Sequence, residues 1–237
     1  MLAVTNQITT NRYDVDKFNF YSIFSQHCQE SFGTSAVEKI HDYIPNHLQP
    51  TRVLQVGEDQ ATYAHGILYQ IDPAYQLKAK TPKIVENRGF IRLYQEFVKF
   101  LEQEVFYEQL VYQKLPTLRI HFPNNLSVGE YHRDRNYSHP IEEVNIWVPI
   151  TQATGTATVQ MESSYDAKDF GPVEAEYGQY VIFDSGLMHG NEVNVEGYTR
   201  VSFDFRVIPV SMYQEREGAS INQKMKFQIG DYYSFDH

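Results

Sequence analysis

The sequence predicts a mainly β protein with an α-helical N-terminal part, its core a double-stranded β-helix (jelly roll) buttressed by helices. Two observations carry this expectation. From Leu115 onward, apolar residues alternate in short runs separated by turn residues, the spacing of a sandwich or barrel. Before that point, one long segment repeats instead with the period of a helix. The 18 Tyr and 15 Phe suit half-buried pleated surfaces and pockets with large semi-polar walls.

The 237 residues read as a single domain in three parts. These are a mixed helical part over 1–115, a jelly-roll core over 116–210 and a C-terminal extension over 211–237. In the first part, Ser35–Ile44 has helical apolar spacing and stops before Pro45. Thr51–Gly57 (TRVLQVG) alternates like a strand. Within 82–110, Phe90, Leu93, Tyr94, Phe97, Leu101 and Val105 form one stripe, with Glu96, Lys99, Glu102 and Glu104 off it. Such a stripe needs a sheet to pack on.

In the core, the strands expected are TLRIHF, EVNIWVPIT, ATVQME, QYVIFD and RVSFDFRVI. Pro123-Asn124-Asn125, Ala153-Thr154-Gly155, Asp184-Ser185-Gly186 and Glu196-Gly197 supply turns between them. The tail after Met212 is polar and then aromatic, and reads either as a last strand or as a cover for the barrel mouth.

Composition narrows the partners. A net charge of −10 argues against a nucleic-acid backbone, which needs a surplus of Lys and Arg. No stretch approaches about 18 apolar residues, and the N-terminal apolar run is too short for a signal peptide. The one cysteine, Cys28, excludes an intramolecular disulfide and a Cys-rich zinc site. A cytoplasmic protein with a small-molecule ligand, and neither a nucleic-acid nor a membrane partner, is expected.

The stretch GEYHRDRNYSH places His132 and Asp134 two apart. In an extended chain both side chains aim into one space while Arg133 points away. Imidazole with carboxylate is a ligand pair for a divalent ion, although solvated surface strands carry the same triplet. A third ligand is available in His189, just past the apolar run Tyr180–Phe183, with Gly186 and Gly190 allowing close backbone approach. This segment resembles the second motif of cupins, with Asp184 where their pattern has proline. Arg200 and Ser202 again share a strand face, eleven residues further on, and offer a fork for a carboxylate. The alternative for Arg200 is an ion pair with Asp204 or Glu192.

In order, His132-x-Asp134, His189 and Arg200-x-Ser202 resemble the Fe(II)/2-oxoglutarate-dependent dioxygenases, over roughly Leu118–Pro209. The wording around the motifs is similar to small oxygenases of natural-product pathways, the streptomycin-biosynthesis type among them. The resemblance implies His132, Asp134 and His189 as iron ligands, and Arg200 and Ser202 as holders of the far carboxylate of 2-oxoglutarate. It implies 2-oxoglutarate and O₂ as cosubstrates, with release of succinate and CO₂. Related halogenases have Gly or Ala at the position of Asp134, so the aspartate implies hydroxylation, or another oxidation such as desaturation or cyclisation, rather than halogenation.

Around these, Asn145 and Trp147 share a strand face, from which Asn145 could reach the cosubstrate and Trp147 could pack nearby. Arg119 could bind an acid group or form a rim ion pair. Arg133, Arg135 and Tyr137 flank the ligand pair and could lie over the substrate. His139, before Pro140, is a rival ligand without a second-strand partner. The expected substrate is a small polar metabolite: an amino acid, an amino-sugar or a natural-product intermediate. Two other classes share parts of the pattern. One is a cupin-like metalloenzyme that does not use 2-oxoglutarate, against which Arg200-x-Ser202 speaks. The other is a non-catalytic jelly-roll binder, against which an intact triad speaks.

Overall fold

The structure is a computed structural model that describes residues 8–43, 87–124, 131–220 and 225–235. Within these residues the ten strands are β1 (Thr9–Arg12), β2 (Leu110–Gln113), β3 (Thr117–His121), β4 (Val144–Pro149) and β5 (Val159–Met161), then β6 (Gly171–Val173), β7 (Gln179–Asp184), β8 (His189–Gly190), β9 (Arg200–Pro209) and β10 (Tyr233–Ser234). Among the described residues, two α-helices, α1 (Phe20–Phe32) and α2 (Arg88–Leu101), belong to the N-terminal part. The larger sheet runs β1-β7-β4-β9-β2-β10, with β3 also on β9, and the smaller runs β6-β5-β8. All the pairings are antiparallel. β9 organises the sheet. One edge pairs with β4, and the other serves β3 along Arg200–Asp204 and then β2 along Val207–Pro209.

The alternation of β9 explains how the fold makes a site. Val201, Phe203, Phe205 and Val207 face the helices and join the main core. Arg200, Ser202, Asp204 and Arg206 take the opposite face, yet all four are buried. A polar strand face turned into the protein needs partners there. β4 divides the same way: Val144, Ile146 and Val148 join the helix-facing core, while Trp147 packs with Val181 and Phe183 of β7 in the second cluster, between the sheets.

The helices cover the apolar face. Asn87 caps α2, its side chain accepting from the N–H groups of Gly89 and Phe90. The stripe expected from sequence is its buried side: Phe90, Tyr94, Phe97 and Leu101, joined by Val98. Phe90 meets Phe203 edge-on at 5.5 Å and Tyr94 meets Phe205 at 4.9 Å. α1 is capped by Asn19 and ends at Gly33, whose φ of 81° needs glycine. It adds Phe20, 5.0 Å from Phe203. Each fully buried phenyl ring contributes about 1.5–3 kcal/mol, so the aromatic layer fixes the strand that carries the polar face.

One expectation changes and one open alternative is resolved. The segment expected as a helix over Ser35–Ile44 is a 3₁₀ helix at Val37–Asp42. Its buried residues, Val37 and Ile40, are three apart, a spacing the 3₁₀ geometry aligns. The C-terminal segment is a last strand: β10 pairs with β2, and Phe227, Tyr232 and Tyr233 pack on Val111 and Ile208. The strand expected at TRVLQVG lies outside the described residues.

Candidate metal centre

His132 and His189 face each other across a single antiparallel bridge. Each backbone N–H donates to the other's carbonyl at 2.9 Å. Such a pair places both side chains on the same face, and the rings lie 4.6 Å apart. Gly190 makes room for the approach, because a Cβ there would meet the Tyr131 ring at 3.0 Å. Asp134 does not continue a strand, as the sequence suggested. The chain is extended at Arg133 and then enters a 3₁₀ turn that Asp134 begins. One extended residue is enough to keep the i, i+2 pair on one side. Asp134 Oδ1 lies 3.6 Å from His132 Nε2 and 3.8 Å from His189 Nε2.

Among the described residues, these three are the cluster of His, Cys, Asp or Glu able to hold an ion, with ligand atoms within 4.8 Å of one another. Ligands about 2.0–2.2 Å from a metal sit about 3 Å apart at octahedral right angles, so a small inward adjustment closes the site. The protonation states suit it. Burial, with His132 nearby, pulls His189 down to about 4 against the opposing pull of Asp134, so its imidazole is neutral. His189 Nδ1–H reaches the Leu187 carbonyl at 3.0 Å, leaving Nε2 as the donor atom. For Asp134, burial opposes ionisation, but Arg206, His132 and His189 outweigh it and hold the carboxyl well below its ordinary range.

His132 and His189 line a cleft together with Arg200, Trp147, Phe183 and Val159. Arg200 is 1% exposed. Its Nε donates to the Ala157 carbonyl and its Nη1 to the Ser202 hydroxyl, both at 2.9 Å, while Nη2 has no protein partner. The acid partners considered from sequence do not take it. Asp204 is engaged instead by Arg119 at 2.8 Å and Arg206 at 2.5 Å. Burial, with Arg119 close by, pulls Arg200 down to about 9. That is the electrostatic cost of a buried guanidinium that lacks an anion. Trp147 Nε1 is also buried without a partner, and the Arg200 guanidinium lies 6.0 Å from its ring.

The structure brings His132, Asp134, His189, Arg200, Ser202, Asn145, Trp147 and Arg119 around one interior. Asn145 donates its amide to Asp134 Oδ2 at 2.9 Å, and Arg119 is an ion-pair partner on the cleft wall. Arg133 points away, as its alternation implies. It is ion-paired with the buried Glu162, donates to the Gly186 carbonyl and lies against the Tyr165 ring. Arg135 reaches Asp184 at 2.7 Å, and a Cβ at Gly186 would strike its guanidinium. Tyr137 is part-exposed, 5.4 Å from the His132 ring. His139 hydrogen-bonds Glu143 at 2.6 Å and packs on Phe227. Sequence reading missed Arg206 and Glu162. The alternation of RVSFDFR already put Arg206 on the face of Arg200, whereas nothing local marks Glu162 as the partner of Arg133.

No family model matches the chain. The streptomycin biosynthesis protein StrG of Streptomyces griseus is 41% identical over 122 residues, 51% of this chain and 58% of StrG. The chain therefore spans little more than half the length of that relative. AviO1 from Streptomyces viridochromogenes Tue57 aligns with a TM-score of 0.47 at 14% identity, over 89% of this chain and 93% of AviO1. EctD from S. alaskensis, solved with 2-oxoglutarate and 5-hydroxyectoine, aligns with a TM-score of 0.51 at 10% identity, over 94% of this chain and 76% of EctD. The chain has the jelly-roll fold that EctD shares, and across half its length it is similar to StrG.

Proposed function

We propose that the protein is an Fe(II)- and 2-oxoglutarate-dependent oxygenase that hydroxylates a small polar metabolite of a natural-product pathway. One observation carries the reading. The two histidines of a His/Asp/His cluster and a buried guanidinium with a donor to spare open into the same cleft. Three such ligands suit Fe(II) and leave the opposite positions open. The fold shared with EctD and the likeness to StrG support the setting.

The residues divide the work. His132, Asp134 and His189 would hold the iron, which when bound supplies the coupling of 2-oxoglutarate decarboxylation to substrate oxidation. Arg200 Nη2 and the Ser202 hydroxyl proton, free because Ser202 Oγ accepts from Arg200, would hold the far carboxylate. Trp147 Nε1–H is a further donor on that wall. Phe183 and Val159 line the cleft with apolar surface that excludes water. Arg135 and Tyr137, at the segment that follows the ligand pair, are the residues we place toward the substrate. Arg119 braces the pocket through Asp204, and Arg133 braces the segment between β5 and β8 through Glu162.

The test is succinate release over a panel of amino acids, amino-sugars and related intermediates, with mass detection of the product. One compound should release succinate and gain one oxygen atom. Substrate turnover that depends on metal but gives no succinate would instead identify a cupin-like enzyme.

A further inference from the structure

The two oxygens of Asp134 have different surroundings. Oδ1 faces His132 and His189. Oδ2 faces the other way and accepts from Asn145 Nδ2 at 2.9 Å and from Arg206 Nη2 at 3.1 Å. These donors sit side by side on the two central strands, because Asn145 is the register partner of Arg206. Both are buried, Asn145 at 1% exposure and Arg206 at 7%. Arg206 is fixed in turn by Asp204, and Asp204 by Arg119, so four alternating charges run inward from the cleft wall to the carboxylate. Burying this many charges is costly unless each is placed.

We propose that Asn145 and Arg206 are positioning residues that grip Asp134 by Oδ2 and present Oδ1 alone to the metal. The proposal rests on the reading of His132, Asp134 and His189 as a metal centre. Its chemical consequence concerns the number of open positions. A free carboxylate can bind an ion through one oxygen or both. Closing with both would occupy a position that a chelating 2-oxo acid and O₂ need. With Oδ2 held by two donors on rigid strands, that closure is blocked.

Co(II) reports both affinity and coordination, the latter through its visible spectrum. The variants are Asn145→Ala, which leaves every ion pair of Arg206 in place, and Arg206→Lys, which keeps the charge and loses the fork. Thermal unfolding of the metal-free proteins serves as the folding control. Wild type should bind one Co(II). Each variant should bind it roughly 10–100-fold more weakly, the range for losing an outer partner of a ligand, with a shifted visible band as Oδ2 is released. The proposal is overturned by an Asn145→Ala protein that unfolds like wild type and keeps both the affinity and the spectrum. Failure of the wild type to bind Co(II) is a separate outcome, which removes the metal centre itself.

Discussion

Asp134→Ala is expected to abolish turnover and to weaken Fe(II) binding by more than the roughly 10–100-fold that losing an outer partner costs. The carboxylate is the one anionic ligand of the three, and neutral imidazoles alone cannot offset the charge of a divalent ion in a buried site. Its removal also leaves the Asp134-facing nitrogen of Arg206 aimed at the vacated position, while the other nitrogen keeps Asp204. Metal affinity and succinate release, measured on the same preparation, check this. Asp134→Asn separates charge from shape, because its side-chain oxygen can still accept from Asn145 and Arg206. It should fold like wild type and fail like the alanine variant. Full turnover in either variant would mean that the metal ligands lie elsewhere.

Arg200→Met is expected to make the protein more stable and less able to use 2-oxoglutarate. The guanidinium is buried, has no carboxylate partner and retains a free donor. A base whose pKa falls on folding penalises the fold while it is forced to carry charge there. For Arg200 the penalty is complete below about pH 9 and fades as pH rises toward the ordinary arginine value. Methionine removes it, so the midpoint of thermal unfolding without cosubstrate should rise. Losing one partner of a buried charge pair costs about 2–5 kcal/mol, so half-saturation by 2-oxoglutarate should rise by at least roughly 30-fold. In wild type, 2-oxoglutarate should itself raise the unfolding midpoint, and in Arg200→Met it should not. A variant with unchanged 2-oxoglutarate dependence would exclude Arg200 as the carboxylate site.

The long elements were legible in the sequence because their patterns are physical consequences of burial. QYVIFD is β7 from end to end, and the stripe from Phe90 to Leu101 is the buried face of α2. Two N-terminal elements were not. Thr9–Arg12 is a strand only through backbone pairing with β7, since none of its side chains is buried, so no alternation marks it. α1 carries its core residues Phe20, Phe24 and Cys28 in a stretch poor in strong helix formers, with Ser22, Ser25, His27 and Ser31 between them and after them.

The site shows the same division. His132 with Asp134, and Arg200 with Ser202, were legible because an i, i+2 spacing across one extended residue puts both side chains on one side, and His189 because it follows the apolar strand β7 directly. What Asn145 and Arg119 touch was not, because it depends on register between strands distant in sequence: Asn145 opposite Arg206, and Arg119 opposite Ser202. The grip on Asp134 exists only in that register.

The central claim is that metal and 2-oxoglutarate meet in one cleft, held by His132, Asp134, His189 and Arg200. Mixing the protein with Fe(II) and 2-oxoglutarate without oxygen tests it most directly. The weak visible charge-transfer band of the iron chelate should be present in wild type, absent in Asp134→Ala, and should require more 2-oxoglutarate in Arg200→Met. A folded wild-type protein that shows no such band at saturating iron and 2-oxoglutarate would contradict it.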